Sequence, residues 1–404
     1  MTASPNLETK NVDYVLDTAE LVLNSSKERR AGSVGEEQTQ HIFMNELKKF
    51  CDETHEEQFR THPGAGTLAE KVLCTLLTLC VILFYSAVNT GSVLKASISL
   101  LTSLVIFCIF SYKFIFDGTK LDFITPAKMS KNLLGVRYSR GETLNRVVLV
   151  ARSDAPQSMR AHLNGNKSPF ILSVCSLIGN TILFCSALLF LFSGAPQQKA
   201  FFSFLSIVCF GFVPFYVMSI FLINGYKVAS GISSSIIPSS ILLSVMKQLH
   251  DNSFRYEKTE VCFLIVGSEY SSRAGAYNFA KKHKRLYTDI PTVFIPLEEI
   301  TTSRKLSVFF KDGSGTKGSS EVASVIGEAA ENLNINIQKE TSLLGSSSYT
   351  PFSKNDFPAC SLGTSKRHTS KTISANSDTL QTVSKKAIAD VGGLVIETLN
   401  YYDG

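Results

Sequence analysis

No CxxC pair occurs in this chain, and its nine cysteines follow no regular spacing, so neither a disulfide framework nor a zinc-finger site is supported. Six of them (Cys74, Cys80, Cys108, Cys175, Cys185, Cys209) fall in apolar stretches, and only Cys51, Cys262 and Cys360 lie in the polar remainder. That distribution fits a reducing compartment. Long basic runs are also missing. The longest, Lys281-Lys282-His283-Lys284-Arg285, reads as a solvated helix face, and the net charge of +6 is modest for 404 residues. With no nucleic-acid motif present, no nucleic-acid partner is expected. A secretory signal is absent too: the first 70 residues are polar and charged, so the first apolar segment is expected to act as its own insertion signal.

Charge is scarcest in two regions, roughly 71–116 and 169–224, where the apolar residues crowd. Within them lie four segments, about Val72–Val88, Ala96–Phe116, Pro169–Ser193 and Ala200–Asn224. Each reaches or approaches the roughly 20 residues that a helix needs to cross a bilayer core about 30 Å thick. The connections inside each pair, NTGSVLK and GAPQQK, are short enough for tight helical hairpins. The lipid bilayer is therefore the first expected partner. No carboxylate or histidine lies within the segments, and Lys113 sits near an end, where it can snorkel. A transporter or channel, which needs a polar lining, is disfavoured. The short loops carry one lysine each, Lys95 and Lys199, whereas Arg60, Lys71, Lys113, Lys120, Lys128, Lys131, Arg160, Lys167 and Lys227 flank the other side. The positive-inside rule then puts the polar parts of the chain in the cytoplasm.

Those parts, 1–70, 117–168 and 225–404, read as one split domain around the hairpins at 71–116 and 169–224. Val12, Val15, Leu16, Ala19, Val22 and Leu23 recur at helical spacing, and helical periodicity resumes from Thr39 to Phe50. Buried strands are expected at 146–151, 261–266, 292–295 and 306–310, with helices at 239–250, before 282, at 319–334 and at 379–402. Alternating strands and helices argue for an α/β fold whose sheet is covered on both faces. Asp154, Glu269 and Glu298 each follow a strand, where such sheets place their sites.

The order of several short motifs resembles the M28 family of zinc aminopeptidases, in particular membrane-anchored members with hairpins inserted in the peptidase domain. Arg29-Arg30-Ala31-Gly32-Ser33-Val34-Gly35-Glu36 is similar to the family's R-x-A-G-S-x-G-E segment. Glu57-Gln58-Phe59 with His62-Pro63 resembles E-x-F…H-P, and Ser268-Glu269 with Gly275-Ala276 resembles S-E-E…G-A. Pro351-Phe352-Ser353 to Phe357-Pro358-Ala359 resembles F-x-x-x-G-I-P-A, and Arg367-His368-Thr369 with Asp378-Thr379 resembles Y-H-T…D-T. The resemblance implies a zinc-exopeptidase-like mixed β-sheet flanked by helices.

It also implies a site of two zinc ions held by five ligand positions, and most of these are changed. The ligand histidine of H-x-D is replaced by Arg152, while the orienting Asp154 is kept. The bridging aspartate falls near Ser234. In the Glu-Glu pair the general base remains as Glu269 and the ligand becomes Tyr270; the fourth ligand aligns with Glu298 and the last with His368. Arg152 is a worse change than a neutral one, because a guanidinium stays protonated and cannot ligate a cation. It is expected instead to act as counterion to Asp154, Glu269 and Glu298 converging on the emptied pocket. Glu269 is expected to serve as a structural acceptor and His368 as a relic. The resemblance thus points to a peptidase homologue without zinc or catalysis, serving as a binding or scaffold module for a peptide or protein partner. The alternative is an active zinc aminopeptidase with a rearranged site, for which His250 or Asp251 would have to substitute.

Overall fold

The structure is a computed structural model that describes residues 2–26, 28–115, 118–119, 121–156, 168–193, 198–222, 228–341, 346–365 and 378–404. In chain order its elements are α1 (Thr9–Ser25), α2 (Val34–Phe50), β1 (Glu53–Thr61), α3 (Ala65–Thr90), α4 (Val93–Phe110), β2 (Lys128–Arg137) and β3 (Asn145–Arg152). Then come α5 (Ser168–Phe192), α6 (Lys199–Phe210), α7 (Val213–Leu222), α8 (Ile237–Asp251), β4 (Thr259–Val266), α9 (Ala274–His283) and β5 (Thr292–Pro296). The last are β6 (Leu306–Lys311), α10 (Ser320–Asn332), β7 (Ile337–Thr341), the short α11 (Thr350–Ser353), β8 (Ser361–Thr364) and α12 (Lys385–Asp403). They divide into two compact units, one of residues 1–63, 126–157 and 228–404, the other of 64–125 and 158–227.

The first unit is a mixed α/β fold with two sheets. Its main sheet has the order β1-β2-β4-β3-β5 and a smaller one the order β7-β6-β8. β3 runs parallel to both β4 and β5, while β2 is antiparallel to β1 and β4. Every residue of β4 is buried, which suits a central strand covered on both faces. Side chains alternate between the faces. Val147, Leu149, Ala151, Val261, Phe263 and Ile265 face a core shared with α1, α2, α8, α10 and α12. Val148, Val150, Cys262, Leu264 and Val266 join Phe279, Phe294 and Phe352 on the other side.

Four of the eight strands among the described residues escape periodicity. β1 (ETHEEQFRT) is almost wholly polar because it is an edge strand with only β2 beside it, and β7 is likewise an edge. The closing helix begins at Lys385 rather than 379; Leu380–Thr382 forms a separate 3-10 turn before it.

The second unit is a bundle of α3 to α7. Among the described residues five helices are long and apolar enough to cross a membrane: Ala65–Thr90, Val93–Lys113, Val174–Phe192, Lys199–Leu222 and Ile232–Asp251. The fourth is not continuous. It breaks at Gly211–Phe212, because Pro214 has no N–H to offer the preceding turn and its ring crowds that carbonyl. The fifth, which contains α8, belongs to the first unit, and 94% of its apolar stretch is buried there against α1, β3 and α12.

Candidate functional site

Strand register assembles the site. Arg152 lies opposite Val266, and Val150 opposite Pro296, so the chain leaves β3, β4 and β5 at one edge of the sheet. Neighbouring strands are about 4.8 Å apart, which brings Asp154, Glu269 and Glu298 together although they are far apart in sequence. All three are buried, with exposures of 0%, 5% and 5%.

Alternation carries Arg152 to the face of Val148 and Val150, where the residue is 5% exposed. Its Nη2 donates to Glu298 Oε2 at 2.8 Å and to Ser348 Oγ at 3.1 Å, and its Nη1 donates to the Tyr270 hydroxyl at 2.9 Å. The guanidinium also lies 5.1 Å from the centre of the Tyr270 ring. Burial works against its charge, but Tyr270, Glu298 and Glu269 outweigh burial and hold it well above the ordinary arginine value. Glu298 is held from the other side by the Ser348 backbone N–H, 2.8 Å from Oε1. That turn is fixed in its own right by Asp312, which accepts from the Ser347 N–H and the Thr350 hydroxyl, and by Arg273, which donates to the carbonyls of Ser346 and Ser347.

The other two carboxyls are not served in this way. Asp154 accepts from the Tyr270 N–H at 2.9 Å through one oxygen. Burial, then the neighbouring Glu36, push it well above the ordinary carboxylate range. Glu269 accepts no hydrogen bond of normal geometry from a described residue, and its nearest cation is Arg273 Nε at 3.6 Å. Burial raises its carboxyl, opposed by Arg273 and Arg152. Glu269 sits in a strained turn, since Ser268, Ser272 and Arg273 all have left-handed backbone with φ of 52°, 56° and 52°. Such conformations cost on the order of 1 kcal/mol each in non-glycine residues.

Ser234 is fully buried in the wide turn Ile232–Ile236 that leads into α8. The turn is tied by Asp378, which accepts from the N–H groups of Ile232 (2.8 Å) and Ser233 (3.1 Å) and from the Ser230 hydroxyl (2.9 Å). Beside it lies Arg29, completely buried, donating to the Ser230 carbonyl and, at 3.3 Å, to Ser235 Oγ. Burial pulls its guanidinium down to about 10, while Asp154 and Asp378 favour its charge. Glu36 closes the layer behind, accepting from the N–H groups of Ser268 (2.8 Å) and Gly32 (2.6 Å) and from the hydroxyls of Ser130 and Ser153. Sequence reasoning did not single out Ser348, Arg29, Glu36 or Asp378. The last three fall inside the family-like motifs, which was the available signal.

His368 lies outside the described residues. His250 and Asp251 are at the far end of α8, the first against the Phe50 ring and the second paired with Lys247. They do not join the site.

The cavity between Arg152, Glu269, Leu297 and Ser348 measures about 10 Å³. That is room for about one water at most. Among the described residues the donor set fits a guanidinium better than a pair of zinc ions. Among the described residues no group of three His, Cys, Asp or Glu side chains could hold a metal. Glu298, a plausible oxygen ligand, is bound to Arg152; burial favours the neutral forms of Asp154 and Glu269; Ser234 and Tyr270 offer neutral oxygens. Zinc is bound by thiolate, imidazole nitrogen or ionised carboxylate, and neutral hydroxyls do not replace them.

The sequence model of Peptidase family M28 matches residues 225–399, which include α8, β4, Glu269 and Glu298. Over those residues the chain is similar to the M28 peptidases. Solved structures agree with this M28-like fold. A glutaminyl cyclase of Fimbriiglobus ruber aligns at TM-score 0.56 and 10% identity, over 99% of this chain and 96% of that one. A leucine aminopeptidase precursor of Bacteroides thetaiotaomicron aligns at 0.56 and 9%, over 99% of each. A Zn-dependent exopeptidase of Parabacteroides distasonis aligns at 0.54 and 12%, also over 99% of each. At these identities the likeness concerns the fold alone. No curated protein matches the chain.

Proposed function

We propose that this chain is a membrane-anchored M28-like module that has given up zinc and peptidase chemistry and serves as a binding or scaffold element. One observation carries the reading. The residue that stands where the family resemblance puts a ligand histidine is Arg152, and its guanidinium is hydrogen-bonded at 2.8 Å to Glu298, where the resemblance puts another ligand. A fixed cation in a buried site repels a divalent metal, and it occupies the carboxylate the metal would need. Burial raises the carboxyls of Glu269 and Asp154 and so disfavours their charged forms, which in this reading makes them buried structural groups rather than a base and its partner.

The anchor is formed by α3, α4, α5 and the broken pair α6–α7, four spans in two hairpins. The burial of α8 inside the first unit supports four rather than five. The distribution of lysine and arginine supports a cytoplasmic first unit. Metal analysis of the full chain purified in detergent, with turnover on aminoacyl amides, tests the proposal. Substoichiometric zinc and no turnover support it. About two zinc per chain, or turnover that a chelator abolishes, would overturn it in favour of an active aminopeptidase using His368.

A further inference from the structure

The second unit contains an apolar groove of about 210 Å³. Ala65 and Ala69, one turn apart on α3, reduce that face nearly to backbone width, and Val72 continues it. Ile109 of α4 forms the base, and Leu121 and Ile124 form the opposite wall. That wall is a short 3-10 turn, Asp122–Ile124, held by its own bonds: the Asp122 N–H donates to Thr119 at 3.0 Å, and Thr125 Oγ1 donates to the Asp122 carbonyl at 2.9 Å. The Asp122 carboxylate also pairs with Lys113, and both side chains are buried, at 9% and 5% exposure. The groove floor is therefore neutral, and a phosphate gains little there. By contrast, Leu121, Phe123 and Ile124 are 38%, 72% and 65% exposed, and Leu68, Val72, Leu76 and Leu79 expose an apolar row along α3 beside the groove.

We propose that this groove holds one acyl chain of a bilayer phospholipid, clamped between α3 and the turn 121–125. The proposal rests on the membrane-spanning reading of α3 and α4. The groove is continuous with the outward apolar row of α3, so a chain enters sideways from the bilayer. The Lys113–Asp122 pair allows the lysine to lie beside hydrocarbon without an uncompensated charge. This selects a hydrocarbon chain over a headgroup.

The full chain is reconstituted in phosphatidylcholine nanodiscs and irradiated with a phosphatidylcholine that carries a diazirine in its acyl chain. Residues 65–76 and 121–124 are expected to label several-fold more than the outward face of α4 around Val105. Even labelling, or stronger labelling of the groove by a headgroup diazirine, overturns the proposal. In native mass spectrometry after detergent exchange, the wild type and Val105→Phe retain one phosphatidylcholine. Ala69→Phe, which fills the groove, retains about tenfold less. Equal retention by Ala69→Phe, or equal loss by Val105→Phe, also overturns it. Alkaline carbonate extraction separates the two levels: a wild type that washes off membranes sinks the spanning reading, whereas a resistant chain without preferential labelling sinks the groove alone.

Discussion

Replacing Arg152 by methionine removes the guanidinium while keeping much of the side chain's bulk. Glu298 then keeps its bond from the Ser348 backbone N–H but loses its buried cation, and the Tyr270 hydroxyl loses the donor at 2.9 Å. Removing one member of a buried ion pair costs about 3–5 kcal/mol, because the other charge stays buried without compensation. The loss of the Tyr270 and Ser348 bonds belongs to the same event and is not added to it. With about 2–4 °C of Tm per kcal/mol for a domain of this size, the midpoint should fall on the order of 10 °C. The deficit should also depend on pH. In Arg152→Met the Glu298 carboxyl is buried without its cation, so its folded pKa rises above the unfolded value. The variant's stability is then greatest below the unfolded pKa and lost as pH rises through the folded one. Thermal melts of wild type and variant in detergent from pH 5 to pH 8 should show a gap that widens with pH. The double variant Arg152→Met/Glu298→Leu, with no charge left to bury, should recover most of the loss. A deficit below about 1 kcal/mol, or one independent of pH, would refute the view that Arg152 neutralises this pocket.

Glu269→Gln removes a carboxyl that burial raises above its ordinary value. Such a group's stability contribution is present at low pH and lost as pH rises, so the variant should be more stable than wild type at pH 8 and equal to it at pH 4, by melting at both. Ser268→Gly should raise stability by about 1 kcal/mol in urea unfolding, since φ is +52° and the hydroxyl makes no bond with a described residue. Asp378→Ala leaves the buried N–H groups of Ile232 and Ser233 without their acceptor and should cost about 2–4 kcal/mol by the same measure. Gly275→Ala places a Cβ 2.2 Å from the Gly267 carbonyl oxygen, backbone that cannot move aside, and soluble yield should collapse. A Gly275→Ala protein that melts normally would show that α9 does not approach β4 this closely.

Much of the frame is visible in the sequence, because the properties that fix it are local. Apolar length marks the helices that can cross a membrane, and the β-branched runs at 146–151 and 261–266 mark central strands that water never reaches. The motif order likewise points to the fold. The charged strand β1 was invisible for the same reason in reverse: its stability comes from pairing with β2, not from its own composition.

What tertiary structure alone decides is where the charges go. Composition identifies Arg152 as a residue unable to bind metal, and the resemblance lines it up with a lost ligand. Only register brings it to Glu298, 146 positions away, and only the turn held by Asp312 brings it Ser348, 196 positions away. Likewise, neither composition nor helical spacing reveals that Lys113 pairs with Asp122 nine positions on, or that an open groove lies beside them. Local sequence sets propensity and burial. The partner of a buried charge depends on the packing of distant segments, and that partner determines whether the charge binds metal, stays neutral or locks a site.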